Sequence, residues 1–218
     1  MDSIRADSCT TRFASARLVA VVTLDRPEDA GPLAEALVTA GITAIELTLR
    51  TPTALAALSA LRRAAPAILL GAGTVLNPTQ ADAAEAAGAD FALAPGLDPT
   101  TVRHCLATGL PVVPGVATAS DIQTALGLGC SFLKWFPAEP LGGVKGLRTL
   151  AAPFRHLRVR YLPMGGITPE TAVAYLGEPD VAAVGGSWFV TPDLIQRRAW
   201  AEISQQARRA LSLVPLSA

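Results

Sequence analysis

The sequence contains few of the residues that mark several large classes of protein. Of 218 residues only three are cysteine and two are histidine. They form no CxxC, HExxH or Cys/His spacing, so the sequence predicts no metal site. Cys9, Cys105 and Cys130 lie far apart, which favours reduced thiols. The 18 basic and 18 acidic residues cancel, so no charge excess indicates nucleic-acid binding.

Long apolar runs are also missing. The longest, such as Leu18–Val22, have about five residues, which is strand length and far below the length of a membrane span. The N-terminus carries Asp2 and Asp7 and no apolar signal segment, so we expect a cytoplasmic protein with no membrane partner. Half of the residues are hydrophobic, enough for a sizeable core, and the length suits one domain over residues 1–218.

Short aliphatic segments alternate with alanine-rich helical segments. Eight strand candidates begin at residues 18, 44, 67, 90, 111, 131, 158 and 181. Helical candidates include residues 27–40, 52–65, 78–87, 98–108 and 119–128, several with a proline or a Thr/Asp cap at the start and a glycine at the end. We expect an N-terminal helix or arm at 1–16 and a closing helix at 193–213.

The even spacing of these segments indicates the fold class. One unit takes about 23 residues, which predicts an α/β protein with a parallel (β/α)8 TIM barrel. A doubly wound open sheet is the alternative. In a barrel of this kind, active sites lie at the carboxyl ends of the strands, so the search for chemistry begins there.

The first candidate is a lysine inside a strand. Only two of the 18 basic residues are lysines, and Lys134 falls within the apolar segment SFLKWF. Alternation along the strand places Phe132, Lys134 and Phe136 on one face. Burial disfavours the ammonium form, and a neutral amine can attack a ketone to form an iminium. A lysine that leans outward and pairs with a helix carboxylate is the alternative.

The second candidate is a polar row in the segment AIELTLR, where Glu46, Thr48 and Arg50 share one face. Buried carboxylates are normally paired or used in proton transfer. We therefore predict that Glu46 moves protons and that Arg50 clamps a substrate carboxylate. An internal Glu46–Arg50 ion pair is the alternative.

Glycines end several strand candidates. The segment Gly71–Thr74 would bring the Thr74 hydroxyl to the same substrate carboxylate. The segments Gly165-Gly166 and Gly185-Gly186-Ser187 end the last two candidates, where backbone N–H groups of such barrels often hold phosphate. Simple turn glycines are the alternative. Lys145 is predicted to be a solvated helix residue.

Together these motifs resemble the 2-keto-3-deoxy-6-phosphogluconate (KDPG/KHG) aldolase family. The segments that carry the resemblance, in order, are ELTLRTP (46–52), GAGTVLNP (71–78), APGLDP (94–99), VPGVAT (113–118), LKWFPAE (133–139), GGVKGL (142–147), GGITPE (165–170) and GGSW (185–188). The resemblance implies a homotrimeric barrel that cleaves a phosphorylated keto-deoxy sugar acid to pyruvate and glyceraldehyde 3-phosphate. Cleavage of 4-hydroxy-2-oxoglutarate to pyruvate and glyoxylate is a further implied activity.

The resemblance also assigns roles to residues, with neither a metal nor a cofactor. Lys134 would form the Schiff base, and Glu46 would be the general acid and base. The implied substrate-binding residues are Arg50 and Thr74 at the carboxylate, Pro95 and Phe136 along the walls, and Gly165, Gly166, Gly186 and Ser187 at the phosphate. The chain departs from the family at Met164, where a threonine is usual, so the preferred acceptor aldehyde stays open.

Other functions fit parts of the sequence. A related aldolase with a different acceptor would share the same lysine. A phosphosugar isomerase or epimerase would use the phosphate glycines but needs no lysine in an inward strand position. A non-catalytic sensor has no use for a nucleophilic amine, and a metal-dependent pyruvate aldolase needs clustered carboxylates that the sequence does not contain.

Overall fold

The computed structural model describes residues 2–214, in which helices and parallel strands alternate. The helices are α1 (Asp2–Ala16), α2 (Ala30–Ala40), α3 (Ala54–Ala64), α4 (Pro78–Ala86), α5 (Pro99–Thr108), α6 (Ala119–Gly127), α7 (Gly143–Ala151), α8 (Pro169–Leu176), α9 (Pro192–Gln196) and α10 (Trp200–Leu213). The strands are β1 (Leu18–Val22), β2 (Ala44–Thr48), β3 (Leu69–Gly73), β4 (Phe91–Leu93), β5 (Val112–Val113), β6 (Gly115–Val116), β7 (Phe132–Trp135), β8 (Arg160–Pro163) and β9 (Val184–Gly186). The expected N-terminal helix is present, and residue 1 lies outside the described residues.

The strands form a curled parallel arrangement of two sheets. Six strands pair in the order β5-β4-β3-β2-β1-β9, and three pair in the order β6-β7-β8. The sheets separate between β5 and β6 at Pro114, which has no N–H to donate to a ladder. On the other side, isolated parallel bridges join Tyr161 to Val181 and Met164 to Gly185. The α/β class with a parallel sheet is confirmed.

Two sequence predictions need correction. The fifth strand candidate, PVVP from residue 111, contains only β5, and a second short strand that was not predicted, β6, follows Pro114. The closing helix predicted over 193–213 is also divided, since α9 ends at Gln196 and α10 begins at Trp200. Arg198 between them has φ 55°, a left-handed conformation that cannot continue a right-handed helix.

Three of the predicted helices, α4, α5 and α6, begin at a side-chain cap where their sequences indicate, and α8 and α9 begin in the same way. Side-chain caps accept hydrogen bonds from the first helical turns of α4, α5, α6, α8 and α9, from Asn77, Asp98, Thr118, Thr168 and Thr191. These caps satisfy N–H groups that have no partner within the helix. Each cap follows shortly after a strand, so it fixes where the loop at the strand's carboxyl end turns into the helix.

Two hydrophobic clusters follow from the alternation of side chains along the strands. The larger cluster lies between the strands and helices α2 to α10. The smaller one gathers the opposite strand faces, with Ala44, Phe91, Phe132 and Leu162 among its members, together with Phe13 of α1. The Phe13 ring lies 4.8 Å from that of Phe91 and 5.1 Å from that of Phe132. This inner cluster fills the space inside the strands, and the polar residues at the carboxyl ends of the strands lie next to it.

None of the described helices combines the length and apolarity needed to cross a bilayer. Across residues 2–214 no group of three or more His, Cys, Asp or Glu is arranged to hold a metal ion. Cys9, Cys105 and Cys130 are buried and free. Burial raises the pKa of the Cys9 thiol to about 12 and the pKa values of Cys105 and Cys130 to about 11, so these thiols are poor nucleophiles at neutral pH.

Candidate active site

A cavity of about 370 Å³ lies at the carboxyl ends of the strands, above the inner cluster. Each site residue predicted from the sequence lines it: Lys134, Glu46, Arg50, Thr74, Pro95, Phe136, Gly165, Gly166, Gly186 and Ser187. Six further residues complete the lining: Val21, Thr48, Met164, Ile167, Gly185 and Trp188. The fold therefore brings together residues that are up to 167 positions apart in the sequence, from Val21 to Trp188.

Lys134 lies on the floor of this cavity. It is the third residue of β7, hydrogen-bonded in the sheet opposite Gly115 and Leu162, and only 5% of it is exposed. Its Nζ atom lies 5.1 Å from the centre of the Phe136 ring. The prediction of an inward-facing lysine among aromatic rings is confirmed, and the outward-leaning alternative is wrong.

Glu46 is the partner of Lys134. The Lys134 Nζ donates to Glu46 Oε1 over 3.1 Å, and Glu46 is 1% exposed. The other carboxylate oxygen, Oε2, is buried without a hydrogen-bond partner in the described residues. Gly73 on β3 makes room for this carboxylate, since any side chain there would overlap Glu46 Oε1. Glu46 therefore pairs with Lys134, and the predicted alternative of a Glu46–Arg50 pair is wrong.

Arg50 belongs to a polar network at the rim of the cavity. Its guanidinium donates to Thr23 Oγ1 over 3.4 Å, and Thr23 shares a 2.7 Å hydrogen bond with the buried Thr48. Arg50 is itself exposed. A cation oriented by a neutral hydroxyl keeps its charge available for an anionic ligand.

Thr74 directly follows β3 and lines the same cavity as Arg50. Its φ is 61°, in the left-handed region that β-branched residues rarely adopt. Such backbone strain is often found where a side chain must reach a ligand. The left-handed backbone at Thr74 therefore departs from the conformation of the strand that precedes it.

The far end of the cavity is built from glycine turns. Gly165 and Gly166 have φ 94° and 81°, values that favour glycine. Gly186 faces the Trp188 ring so closely that a side chain at this position would overlap it. Ser187 follows directly and is exposed. Backbone N–H groups and a hydroxyl at a loop of this kind suit a phosphate.

Met164 is a buried residue of the cavity wall next to Gly185. It is 2% exposed, and its thioether fills the space beside Gly185, where a Cβ would overlap it. The side chain lines the cavity together with Ile167 and Trp188. This part of the wall is therefore apolar.

Comparison with known proteins identifies the family to which the chain belongs. Residues 9–206 match the family described as KDPG and KHG aldolase. The chain belongs to this family. The 2-dehydro-3-deoxy-phosphogluconate aldolase of Treponema pallidum (strain Nichols) is 44% identical over 198 residues, covering 91% of this chain and 93% of that protein. The KHG/KDPG aldolase of Escherichia coli (strain K12) is 39% identical over 194 residues, covering 89% and 90%.

Solved structures of the family also resemble this one. The KDPG aldolase of Legionella pneumophila, with pyruvate captured at low pH as a covalent carbinolamine intermediate, superposes with a TM-score of 0.88. It is 38% identical and covers 93% of this chain and 97% of its own. The Zymomonas mobilis ZM4 enzyme with 3-phosphoglycerate has the same TM-score and identity and covers 98% and 100%.

Sequence reasoning misses several residues around the family's site. Alternation along β2 places Thr48 on the inward face but gives it no role. Thr23 lies two positions after the cavity residue Val21, so the same alternation could have predicted that Thr23 faces the cavity. Glu139, from the segment after β7, donates its backbone N–H to Gly165 O over 3.0 Å, and no local pattern predicts that contact. Lys145 is exposed on α7, as predicted.

Proposed function

We propose that this protein cleaves 2-keto-3-deoxy-6-phosphogluconate to pyruvate and glyceraldehyde 3-phosphate through a Schiff base on Lys134. One observation carries the proposal. The Lys134 amine and the Glu46 carboxylate are both buried on the cavity floor and lie 3.1 Å apart. A lysine with a general base within hydrogen-bond reach is the arrangement that amine nucleophiles use.

The first steps form the iminium. Lys134 passes a proton along its 3.1 Å hydrogen bond to Glu46, and the free amine attacks the C2 ketone of the substrate. Glu46 returns the proton to the resulting hydroxyl group, and water leaves. The carbon–nitrogen bond replaces the C2–oxygen bond, and the product is a cationic iminium. Glu46 is again a carboxylate after this step.

The next steps break the carbon–carbon bond. Glu46, through a water molecule held at its unpartnered Oε2, removes the proton of the C4 hydroxyl. The C3–C4 electron pair moves into the iminium to give an enamine, and glyceraldehyde 3-phosphate leaves. Protonation at C3 and hydrolysis of the carbon–nitrogen bond release pyruvate and restore the amine. No redox partner is needed.

The remaining predicted residues bind the substrate. Arg50 and Thr74 hold the carboxylate of the pyruvyl half by charge and by the Thr74 hydroxyl. Pro95 and Phe136 form the walls. The N–H groups of the far-end glycines hold the phosphate together with the Ser187 hydroxyl. The joint presence of these residues in one cavity supports these roles.

The proposal extends to the protein's barrel architecture, its oligomeric state and its location in the cell. The bridges between β8 and β9, and the break of a single residue at Pro114, support a closed (β/α)8 barrel. We assign residues 1–218 to one aldolase domain. Membership of the family supports a homotrimer in the cytoplasm. The name of the E. coli relative supports a second activity that yields pyruvate and glyoxylate from 4-hydroxy-2-oxoglutarate.

Borohydride trapping with pyruvate tests the proposal. Reduction should add a pyruvyl group to a peptide that contains Lys134, as detected by mass spectrometry. Lys134→Arg keeps the charge but has no attacking amine, so adduct and turnover should both disappear. Lys145→Arg is the matched control, since Lys145 is exposed on α7, and it should behave as wild type. Absence of the adduct from the wild-type protein would exclude a Schiff-base aldolase.

A further inference from the structure

Three buried polar atoms lie together behind the cavity wall. Trp135 Nε1, Glu139 Oε1 and the Tyr175 hydroxyl are each buried and, within residues 2–214, lack a hydrogen bond of full geometry. Tyr175 is 0% exposed on α8, and Trp135 ends β7. Buried polar groups in proteins are nearly always paired. Because three such groups lie in one place, a small movement of any of these side chains would form or break a hydrogen bond between them.

Tyr175 is the side chain that the other two both approach. The Glu139 carboxylate and the Trp135 indole N–H both lie beside the Tyr175 hydroxyl. Glu139 Oε2 and the hydroxyl also lie 3.4 and 3.9 Å from the point where a side chain on Gly143 would begin. Burial first, and then the charge of Glu139, raise the pKa of the Tyr175 phenol. The phenol is therefore a neutral donor beside a carboxylate.

Glu139 connects this cluster to the far end of the cavity. Its backbone N–H donates to Gly165 O over 3.0 Å. The carbonyl and the N–H of one trans peptide point in opposite directions, so this bond turns the Gly166 N–H away from Glu139. The side-chain stem packs on the same peptide, because a Cβ on Gly166 would lie 2.9 Å from the Glu139 Cβ and 3.0 Å from its Cγ.

We propose that Glu139 and Tyr175 are positioning residues for phosphate recognition, holding the Gly165-Gly166 peptide in its binding orientation. This inference rests on the proposed function, which places the substrate phosphate at these glycines. Glu139 does not line the cavity. Its carboxylate lies beside the hydroxyl of Tyr175 on α8.

The Tyr175→Phe variant tests this role, because it removes the hydroxyl and keeps the ring. The KM for 2-keto-3-deoxy-6-phosphogluconate should rise about tenfold, because the Glu139 carboxylate loses the phenol that lies beside it and orients it. The KM for the same sugar acid without its phosphate should stay constant, and so should the kcat and the pyruvyl adduct on Lys134. A general loss of packing would instead change the KM values for both sugar acids by the same factor.

Tyr161→Phe is the matched control. Tyr161 is also a buried tyrosine whose hydroxyl lacks a partner in the described residues, and burial with the charge of Asp180 raises its pKa to about 12. It is not among the groups that act on Tyr175, so both KM values should stay at wild type. In a Glu139→Gln background, Tyr175→Phe should add no further change, since its charged partner is gone.

The outcomes separate this inference from the function on which it rests. Equal KM changes for both sugar acids, no change in Tyr175→Phe, or the same selective change in Tyr161→Phe would each overturn the positioning role and leave the aldolase proposal standing. A wild-type protein that cleaves neither sugar acid would contradict the proposed function, and this inference with it.

Discussion

Gly73 and Glu46 face each other across neighbouring strands, and the missing side chain of Gly73 is the space that the Glu46 carboxylate occupies. The two residues lie on β3 and β2, where Thr48 pairs with Gly73 and Glu46 pairs with Gly71. A glycine in a strand interior usually marks the close approach of another group. Here that group is the proposed general base, so the glycine belongs to the catalytic arrangement.

Gly73→Ala should therefore impair catalysis without touching substrate. The methyl group would overlap Glu46 Oε1 and displace the carboxylate from the Lys134 amine. A misplacement of about 1 Å can lower a rate by about 100-fold, so we expect a fall in kcat of this order, measured as pyruvate release in a coupled assay. Gly31→Ala is the control: apart from its chain neighbours and its own helix backbone, no atom lies within 4 Å of the new methyl group on α2, and the variant should keep wild-type kcat. A Gly73→Ala enzyme with full activity would contradict the assigned role of Glu46.

Thr74→Asn should make the protein more stable and its substrate binding weaker. Asparagine tolerates the left-handed backbone better than a β-branched residue, so relief of strain should add about 1 kcal/mol and raise the melting temperature by about 2–4 °C. The longer amide would displace the substrate carboxylate, so KM should rise. Arg158 has φ 57° and is exposed away from the cavity, so Arg158→Asn should stabilise without changing KM. Thermal unfolding and steady-state kinetics measure the two effects.

Met164→Ala should widen the acceptor end of the cavity. Truncation of a buried methionine costs about 2–5 kcal/mol, which chemical denaturation would register. The space released beside Gly185 should accept bulkier aldehydes, so kcat/KM in the synthetic direction should rise for them relative to glyceraldehyde 3-phosphate. If the preference for aldehydes stays the same while stability falls, Met164 has only a packing role.

The three buried thiols should make the stability of the folded protein depend on pH. Their folded-state pKa values, about 11 to 12, lie above the unfolded value of about 8.5, so the folded state favours the protonated form. Their contribution to stability is fully present below about pH 8.5 and is lost as the pH rises toward 11. Native protein at pH 8 should react slowly with a thiol reagent, and unfolded protein should titrate three thiols. Rapid labelling of the native protein at pH 8 would show that burial does not protect these groups.

Much of the site could be predicted because it depends on alternation along single strands. Side chains two positions apart share a face, so the sequence alone groups Glu46 with Thr48 and Lys134 with Phe132 and Phe136, and the structure shows that Lys134 faces inward. The rule that active sites follow the strand ends located Thr74 and the glycine turns. These are local properties of the sequence.

Other features depend on contacts between distant segments. The break of the fifth strand at Pro114 is local and could have been found from the missing N–H. The left-handed turn at Arg198, by contrast, has no glycine to announce it, and the meeting of Trp135, Glu139 and Tyr175 joins a strand, a loop and a helix. Sequence periodicity carries no information on such meetings, because each segment satisfies its own pattern alone.

The aromatic floor has a kinetic consequence. Phe13 of α1, packed against Phe91 and Phe132, fills the space beneath Lys134, so within the described residues the cavity opens toward the carboxyl ends of the strands. In the proposed mechanism, pyruvate attached to Lys134 would lie deepest, with the aldehyde between it and solvent. Product release should therefore be ordered, with the aldehyde leaving first. Pyruvate should act as a competitive inhibitor of cleavage, and the aldehyde as a noncompetitive one.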